Sequence, residues 1–507
     1  MAALGGLAQS LAFPPWNLWP LSLVALVPLI LLARRQTPRR AALGGLVWGL
    51  VQGLATMYWL MVVLTDYGRL AWPLALGAFF ILQTYLALYP AAWAWMLARA
   101  KAARLPWLLL GPAAWAGLEW LREWLFTGFP WLPLGNALAV RPELIQSAEL
   151  WGVRGLSALV VLVNLLLARA WWSRGLGRRA AALTAALALV AGGWLWGAGR
   201  MDQVRQAAQK APRLAVSVVQ GNIPIRKLWE RGARLDIIRT QLRLSRRAAK
   251  KLRQRPWLVV WPESAAPFFF LRDARPTLAA LRGAVELDAY VLLGTVGAVK
   301  RDGRWRPTNR VWLVGPDGEP GAFYDKVHLV PFGEYVPLGR ILFFVRALAA
   351  VGQDNAPGVK GSTLPVAGWK VGPLICYESI FTGLAREQRL RGARLIVNQT
   401  NDAWFGKTGA SAQHLSHLRL RAVENRLACA RAANTGISGF VLPDGTTAQL
   451  TGLYVEDVRS RALPLMDQTT FFTRHGDLAG PAGLALALLA LAWTNRRKRR
   501  KGEDQHV

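Results

Sequence analysis

The sequence predicts a multi-span α-helical membrane bundle joined to one α/β domain, and three observations predict it. The chain is 53% hydrophobic and only 18% charged, too apolar for an ordinary soluble protein. Apolar segments recur at about 2 to 13, 17 to 33, 41 to 64, 72 to 98, 107 to 126, 152 to 172, 179 to 198 and 478 to 494. Between the last two, from about 201 to 475, short runs rich in Val, Ile and Leu alternate with Arg-rich amphipathic stretches.

A spanning helix needs about 20 apolar residues, a length that the middle segments meet. The first segment is shorter and ends at Pro14 and Pro15. It lacks the basic leader and small-residue cleavage site of a signal peptide, so it is read as part of the bundle. Arg34, Arg35, Arg39 and Arg40 follow the second segment, Arg99, Lys101 and Arg104 the fourth, and Arg174, Arg178 and Arg179 the sixth. A basic run from Arg496 to Lys501 follows the last. The connections after the third and fifth segments carry only Arg69 and Arg141. Basic loops stay in the cytoplasm, so eight spans place both termini inside and residues 201 to 475 on the extracytoplasmic side. The expected division is a membrane domain over 1–200 with about seven helices, a catalytic domain over 201–475, and a final span with a basic cytoplasmic tail over 476–507.

The same distribution accounts for the formal net charge of +33 without nucleic acid. A nucleic-acid binder interleaves its bases with polar and aromatic contact surface, whereas much of this Arg flanks apolar runs. The rest lies on solvated helix faces such as Arg239 to Arg255, close to anionic lipid head groups.

Within 201–475, the runs Leu214 to Val219, Trp257 to Trp261, Tyr290 to Val296, Val311 to Val314, Val371 to Ile375 and Leu395 to Asn398 read as buried strands. Pro316-Asp317-Gly318 and Pro443-Asp444-Gly445 read as hairpin turns, so the sheets are expected to be mixed.

With only two cysteines, Cys376 and Cys429, no disulfide framework is implied and each thiol is read singly. Cys376 ends the apolar run Gly372-Pro373-Leu374-Ile375 and precedes Tyr377-Glu378-Ser379, an elbow that would expose a nucleophile. Cys429 lies in an apolar strand-like context and reads as a core thiol. Glu263 ends a second apolar run, and desolvation there would raise its pKa into the range of a general base. Lys326 and Glu334 follow the first hairpin. Taken alone, such a cysteine is more often core, such a glutamate a helix cap and such a lysine solvated surface.

Together they resemble the nitrilase or carbon-nitrogen hydrolase superfamily, whose triad is a Glu, a Lys and a Cys in that chain order. Here these are Glu263, Lys326 and Cys376. With hydrophobic helices before and after, the chain resembles one branch over nearly its whole length, the apolipoprotein N-acyltransferases of the bacterial inner membrane. Matching stretches are Glu119-Trp120-Leu121-Arg122, Gly128-Phe129-Pro130-Trp131, Gln220-Gly221-Asn222-Ile223-Pro224, Pro331-Phe332-Gly333-Glu334-Tyr335 and Asn401-Asp402-Ala403-Trp404-Phe405. Arg421 to Arg426 and Arg431 to Ser438 also fit. The chain departs from the family at Ile225, Leu228 and Asn136.

The resemblance implies an αββα sandwich and a ping-pong reaction. Cys376 would take the sn-1 acyl chain of a phospholipid, with phosphatidylethanolamine as the expected donor, as a thioester. It would then pass the chain to the α-amino group of the N-terminal diacylglyceryl-cysteine of a lipoprotein. Glu263 would move the protons, and Lys326 with a backbone N–H near Tyr377 would hold the oxyanion. Glu334 and Glu378 would orient Lys326 and the nucleophile segment, Tyr377 would pack beside the thiol, and Trp229 would wall an acyl chain or else sit in the core or at the lipid interface. No cofactor is required, and no His/Cys cluster has metal-ligand spacing; His414 and His417 are three apart without a third ligand. The expected partners are thus the phospholipid donor, the diacylated lipoprotein and the bilayer. Asn401 and Asp402 read as loop support. Phe268-Phe269-Phe270 and Leu342-Phe343-Phe344-Val345 read either as core or as a gate dipping into the membrane. The competing expectation is a membrane-tethered amidase or nitrilase with the same triad and water or a small amine as acceptor.

Overall fold

The computed structural model describes residues 1–250, 254–301, 303–337 and 354–503, with the side chains of 102 and 497–503 left out of account. The Leu342-Phe343-Phe344-Val345 segment therefore lies outside the described residues. The chain divides into two compact units. One comprises Met1–Met61, Trp72–Met201 and His475–Val507, and the other Val62–Ala71 and Asp202–Arg474.

The first unit is helical. Three helices among the described residues are long and apolar enough to cross a membrane: Trp72–Lys101, Ala148–Trp172 and Leu176–Lys210. Pro38–Thr56 and Leu60–Tyr67 pass only as a pair, bent by 66°. The segment expected over 17 to 33 is not one helix. It folds as a 3-10 turn, Trp19–Leu23, and a helix of 9 residues, Val27–Arg35. Each of these two carries a proline in its first turn, Pro20 and Pro28, where proline begins a helix and cannot continue one. At about 1.5 Å per residue, neither Val27–Arg35 nor the 11-residue Ala2–Ala12 reaches across a hydrocarbon core of about 30 Å. The reading of eight separate full spans is thus coarser than the structure, which breaks two of them.

Packing in this unit rests on small residues and a few paired charges. Gly45, Gly49 and Gly53 recur every fourth residue along Pro38–Thr56. A Cβ on Gly49 would stand 2.7 Å from the Ala87 Cα, and one on Gly45 would stand 2.4 Å from the Pro90 carbonyl oxygen. Such a stripe lets helix backbones approach, so that dispersion contacts replace the hydrophobic drive that lipid cannot supply. Arg154, 2% exposed, is paired with both Glu123 and Asp477, which ties the segment just before the final helix, Ala479–Glu503, to Trp107–Trp124.

The second unit is a four-layer sandwich. Its first sheet contains β1 (Arg213–Gln220), β2 (Trp257–Val260), β3 (Ala266–Phe269), β4 (Tyr290–Arg301), β5 (Arg304–Val314) and β6 (Pro320–Asp325). The second contains β7 (Leu364–Val366), β8 (Trp369–Ile375), β9 (Leu395–Thr400), β10 (Ala428–Ala433), β11 (Gly439–Val441) and β12 (Thr447–Ala448). The last strand, β13 (Asp457–Pro464), returns to the first sheet beside β1. Both sheets are mixed. β1, β2 and β4 run parallel while β5, β6 and β13 are antiparallel to their neighbours; β8, β9 and β10 run parallel while β7, β11 and β12 are antiparallel. Both proline-glycine turns close hairpins, between β5 and β6 and between β11 and β12.

Strand alternation explains the layers, because successive side chains point to opposite faces. Leu214, Val216 and Val218 meet Leu395, Val397, Ala430 and Phe440 in one core between the sheets. The alternate residues Ala215, Val219, Val259 and Leu293 pack on helices Arg234–Ala249 and Ala274–Leu287. Leu374, Ile396 and Cys429 pack on Thr382–Leu390 and Ala410–Asn425. Phe268 and Phe270 are buried and only Phe269 is exposed, so that run is largely core.

We expect Gly49→Leu to destabilise the helical unit by about 1–3 kcal/mol, because the neighbouring backbone must move to admit the side chain. Gly77→Leu, where a Cβ meets nothing within 4 Å, should be neutral. Thermal unfolding of both variants in one detergent checks the contrast.

Candidate active site

Three strand ends deliver the reactive side chains. Cys376 directly follows β8, Lys326 directly follows β6, and Glu263 follows β2 after a short turn. The turn that carries Glu263 lies flat on β4 because residue 294 is glycine. A Cβ there would come within 2.6 Å of the Pro262 carbonyl oxygen and 2.8 Å of the Glu263 Cα. The sheets are joined at this level by Gln399, whose amide donates to the Trp261 carbonyl at 2.7 Å.

Lys326 is 1% exposed and lies between two carboxylates. Its Nζ is 2.9 Å from Glu334 Oε2 and 3.8 Å from Glu263 Oε1. Burial works against the ammonium, but Glu334 and Glu263 outweigh it and hold the Lys326 pKa above the ordinary lysine value. The lysine backbone is held in turn, since its N–H donates to the Asn309 carbonyl at 2.8 Å. The preceding Asp325 is gripped by Arg310 through two bonds of 2.7 Å.

Glu263 is 7% exposed and within hydrogen-bonding reach of the Cys376 thiol. The Asn309 amide donates to its Oε1 at 2.7 Å, and the Asn401 backbone N–H donates to its Oε2 at 2.9 Å. Burial raises the Glu263 pKa; Lys326 pulls it down, Glu334 pushes it up, and Asn309 and Cys376 lower it again by hydrogen bonding. The net direction is upward, which is what proton transfer near neutrality requires.

Cys376 is partly exposed and adopts φ +49°. For a residue with a Cβ this left-handed conformation is strained, and an elbow of that kind lifts a nucleophile out of the sheet. Burial and then the charge of Glu263 push the thiol pKa up, with Lys326 opposing. That balance favours the thiol over a standing thiolate at Cys376.

The two supporting glutamates do different work. Glu334 touches Lys326 directly and shares the Asn309 amide with Glu263, at 2.9 Å. Glu378, fully buried, accepts from the Ile375, Val327 and His328 backbone N–H groups at 2.6, 2.6 and 3.1 Å and from the Tyr324 hydroxyl at 2.9 Å. It fastens the lysine segment to the cysteine segment. Burial pushes the Glu378 carboxyl up to about 7 against the pull of those amides and of Lys326. Tyr377 is buried with its ring 5.1 Å from Phe381 and 5.8 Å from His328. Trp229, in contrast, is 58% exposed, so the core position considered for it is excluded. Asn401 and Asp402 are loop support of a specific kind, one presenting its amide to Glu263 and the other paired with Arg431 at 2.7 Å. Glu119 Oε1 accepts from Trp115 and from the Leu134 N–H, and Arg122 donates to the Trp131 carbonyl.

Two contributors were not singled out from the sequence. Asn309 lies in β5, where the polar triplet Thr308-Asn309-Arg310 directly precedes the apolar run Val311 to Val314 and was the available signal. Tyr67 lies in Val63–Tyr67, a segment that follows a bundle helix in the chain but clusters with the second unit. Its hydroxyl donates to the Ala403 carbonyl at 2.6 Å, and its ring meets Trp404 at 5.1 Å. It thereby holds the loop that presents the Asn401 N–H to Glu263.

A mixed four-layer sandwich with a Glu, a Lys and a Cys converging from three strand ends defines a carbon-nitrogen hydrolase domain. Residues 215–469 match the family described as carbon-nitrogen hydrolase, and residues 5–166 match the apolipoprotein N-acyltransferase N-terminal domain. The chain is 37% identical over 504 residues to an apolipoprotein N-acyltransferase of Geobacter metallireducens, covering 98% of this chain and 95% of that one. It is 32% identical over 508 residues to one from Methylococcus capsulatus, covering 98% and 96%. Among solved structures, Saccharomyces cerevisiae Nit3 of the nitrilase superfamily aligns with 50% of this chain and 90% of its own, at 19% identity and a TM-score of 0.38. The chain belongs to the apolipoprotein N-acyltransferase family.

Removing the Asn309 amide takes away a bond that favours ionised Glu263, so Asn309→Ala should raise the Glu263 pKa further. The acid limb of Cys376 alkylation by iodoacetamide, followed against pH, should then shift to higher pH, by about half a unit to one unit for one hydrogen bond.

Proposed function

We propose that this enzyme transfers the sn-1 acyl chain of a phospholipid, phosphatidylethanolamine in the simplest case, to the α-amino group of the N-terminal diacylglyceryl-cysteine of lipoproteins. The observation that carries the reading is the convergence of Glu263, Lys326 and Cys376 with Glu334, in a chain of this family. In the first half-reaction Glu263 takes the thiol proton as sulfur attacks the ester carbonyl. The oxyanion forms beside the Lys326 ammonium and a backbone N–H near Tyr377. Collapse breaks the ester C–O bond, the leaving oxygen takes the proton back from Glu263, and a lysophospholipid departs from a Cys376 thioester. In the second, the amine attacks the thioester, Glu263 accepts its proton, and the sulfur leaves and is reprotonated as the amide forms.

A raised Glu263 pKa and a raised Cys376 pKa suit this sequence, because proton transfer coupled to attack needs a base and a thiol that exchange one proton without either being locked in its charged form. The fixed charge of Lys326 serves the oxyanion in both steps. No cofactor takes part in either half-reaction.

We further place the catalytic unit on the extracytoplasmic side of the bacterial inner membrane. The support is the alternation of basic connections along the chain, with Arg34 to Arg40, Arg99 to Arg104, Arg174 to Arg179 and the basic tail kept inside. Both substrates are amphiphiles held in a bilayer, so a catalytic unit carried by apolar helices meets them without extracting them into water.

The test is to incubate the purified protein with phosphatidylethanolamine labelled in its sn-1 chain and seek a hydroxylamine-labile label on Cys376. The expected result is label in the unaltered chain, none in Cys376→Ala, and transfer as amide to a diacylated lipopeptide. Hydrolysis of a short-chain soluble amide by a protein that takes no lipid label would replace this reading with the membrane-tethered amidase.

A further inference from the structure

Behind the nucleophile lies a polar cluster that the acyl-transfer steps do not use. Asp402, His414 and Arg431 are each 1% exposed or less. Arg431 donates to Asp402 Oδ2 at 2.7 Å, and the same nitrogen lies 3.1 Å from His414 Nδ1. Across the ring, His414 Nε2 lies 3.0 Å from the Cys376 carbonyl oxygen and 2.8 Å from Ser379 Oγ. The Ser379 hydroxyl also donates to that carbonyl, at 3.1 Å.

A carbonyl oxygen can only accept, so the ring nitrogen that faces Cys376, Nε2, must carry a proton. On the other edge Nδ1 lies 3.1 Å from the Arg431 guanidinium and 3.2 Å from Asp402 Oδ1. Burial and the Arg431 charge press the His414 pKa down against the pull of Asp402, which favours the neutral ring. Hydrogen bonds then hold the backbone on both sides of Cys376. Upstream, the Ile375 N–H is held by Glu378 at 2.6 Å. Downstream, the Cys376 carbonyl takes two donors, and between them lies the residue with φ +49°. A left-handed backbone at a non-glycine residue relaxes unless its peptide groups are pinned.

We propose that His414 is a positioning residue for the nucleophile: its Nε2–H, with the Ser379 hydroxyl, holds the Cys376 carbonyl and so the strained elbow that aims the thiol at Glu263. Asp402 and Arg431 hold the opposite edge of its ring. Asp402 adjoins Asn401, the donor to Glu263, so one cluster sets both the nucleophile and its base. This inference rests on Cys376 being the nucleophile and is independent of which acyl donor or acceptor it serves.

The test is the rate at which iodoacetamide alkylates Cys376 in the purified full-length chain, a readout that needs no lipid. His414→Leu should slow alkylation about tenfold, the scale of one lost hydrogen bond in a buried site. His414→Gln, whose amide N–H can replace the Nε2 donor, should return to within about threefold of the unaltered chain. Thermal unfolding midpoints identify the temperature at which each variant is folded, and a purely structural role would move those midpoints without separating Gln from Leu in rate. If the Leu variant does not fold, Ser379→Ala removes the other donor and should slow alkylation by about threefold. Equal rates in all folded variants, or Gln as slow as Leu, would overturn the proposal. A donor-dependent alkylation rate in a chain that takes no lipid label would leave this inference standing and remove only the acyl-donor assignment.

Discussion

Keeping one ammonium charged while almost wholly buried is the constraint from which the rest of the site follows. An isolated lysine at 1% exposure would lose its proton, because desolvation of a charge is far more costly than neutralisation. Lys326 keeps it by standing between Glu263 and Glu334. Two carboxylates around one ammonium leave an excess negative charge, and that excess is shared out by Asn309, which donates to both, and by the Val330 and Asn401 backbone N–H groups. Burial raises the pKa of both Glu263 and Cys376, and a neighbouring carboxylate, Glu334 for the one and Glu263 for the other, adds to it.

The scaffold supplies what this charge arrangement needs, which is rigidity from two directions. Lys326 and Glu263 come from one sheet and Cys376 from the other, so their separation depends on the registry of the sheets across the shared core. Gln399 and Glu378 cross that core with hydrogen bonds, while Asn434 clasps Ile223 with both its amide atoms. Small shifts at such a site are costly because each buried polar atom that loses its partner exacts a full desolvation penalty.

Much of this was legible in the sequence because its signals were local. Strand ends announced Glu263 and Cys376, hairpin turns announced the mixed sheets, and the order of the three reactive residues carried the family resemblance. What stayed hidden depends on contacts distant in the chain. Asn309 looks like any strand polar residue until β5 is laid beside Glu263 and Glu334. Glu334 and Glu378 could not be told apart, since one meets a side chain and the other meets backbone N–H groups from segments some fifty residues away. The bundle was read too evenly for a related reason. Hydropathy registers apolar content but not the proline at the start of a turn, so the stretch over 17 to 33 looked continuous where the chain actually breaks.

The placement of Val62–Ala71 has a consequence for how the catalytic unit can come into being. These residues leave the ribosome well before Asp202–Arg474, with several bundle helices made in between, yet Tyr67 supplies the donor that the Ala403 carbonyl accepts. The unit is therefore discontinuous in time as well as in sequence. Its last stitch waits for a piece synthesised near the beginning, and a protein cut at residue 201 to obtain the soluble part would be released without it. The catalytic and helical units are thus not consecutive in the chain, since a segment of the first is encoded between helices of the second.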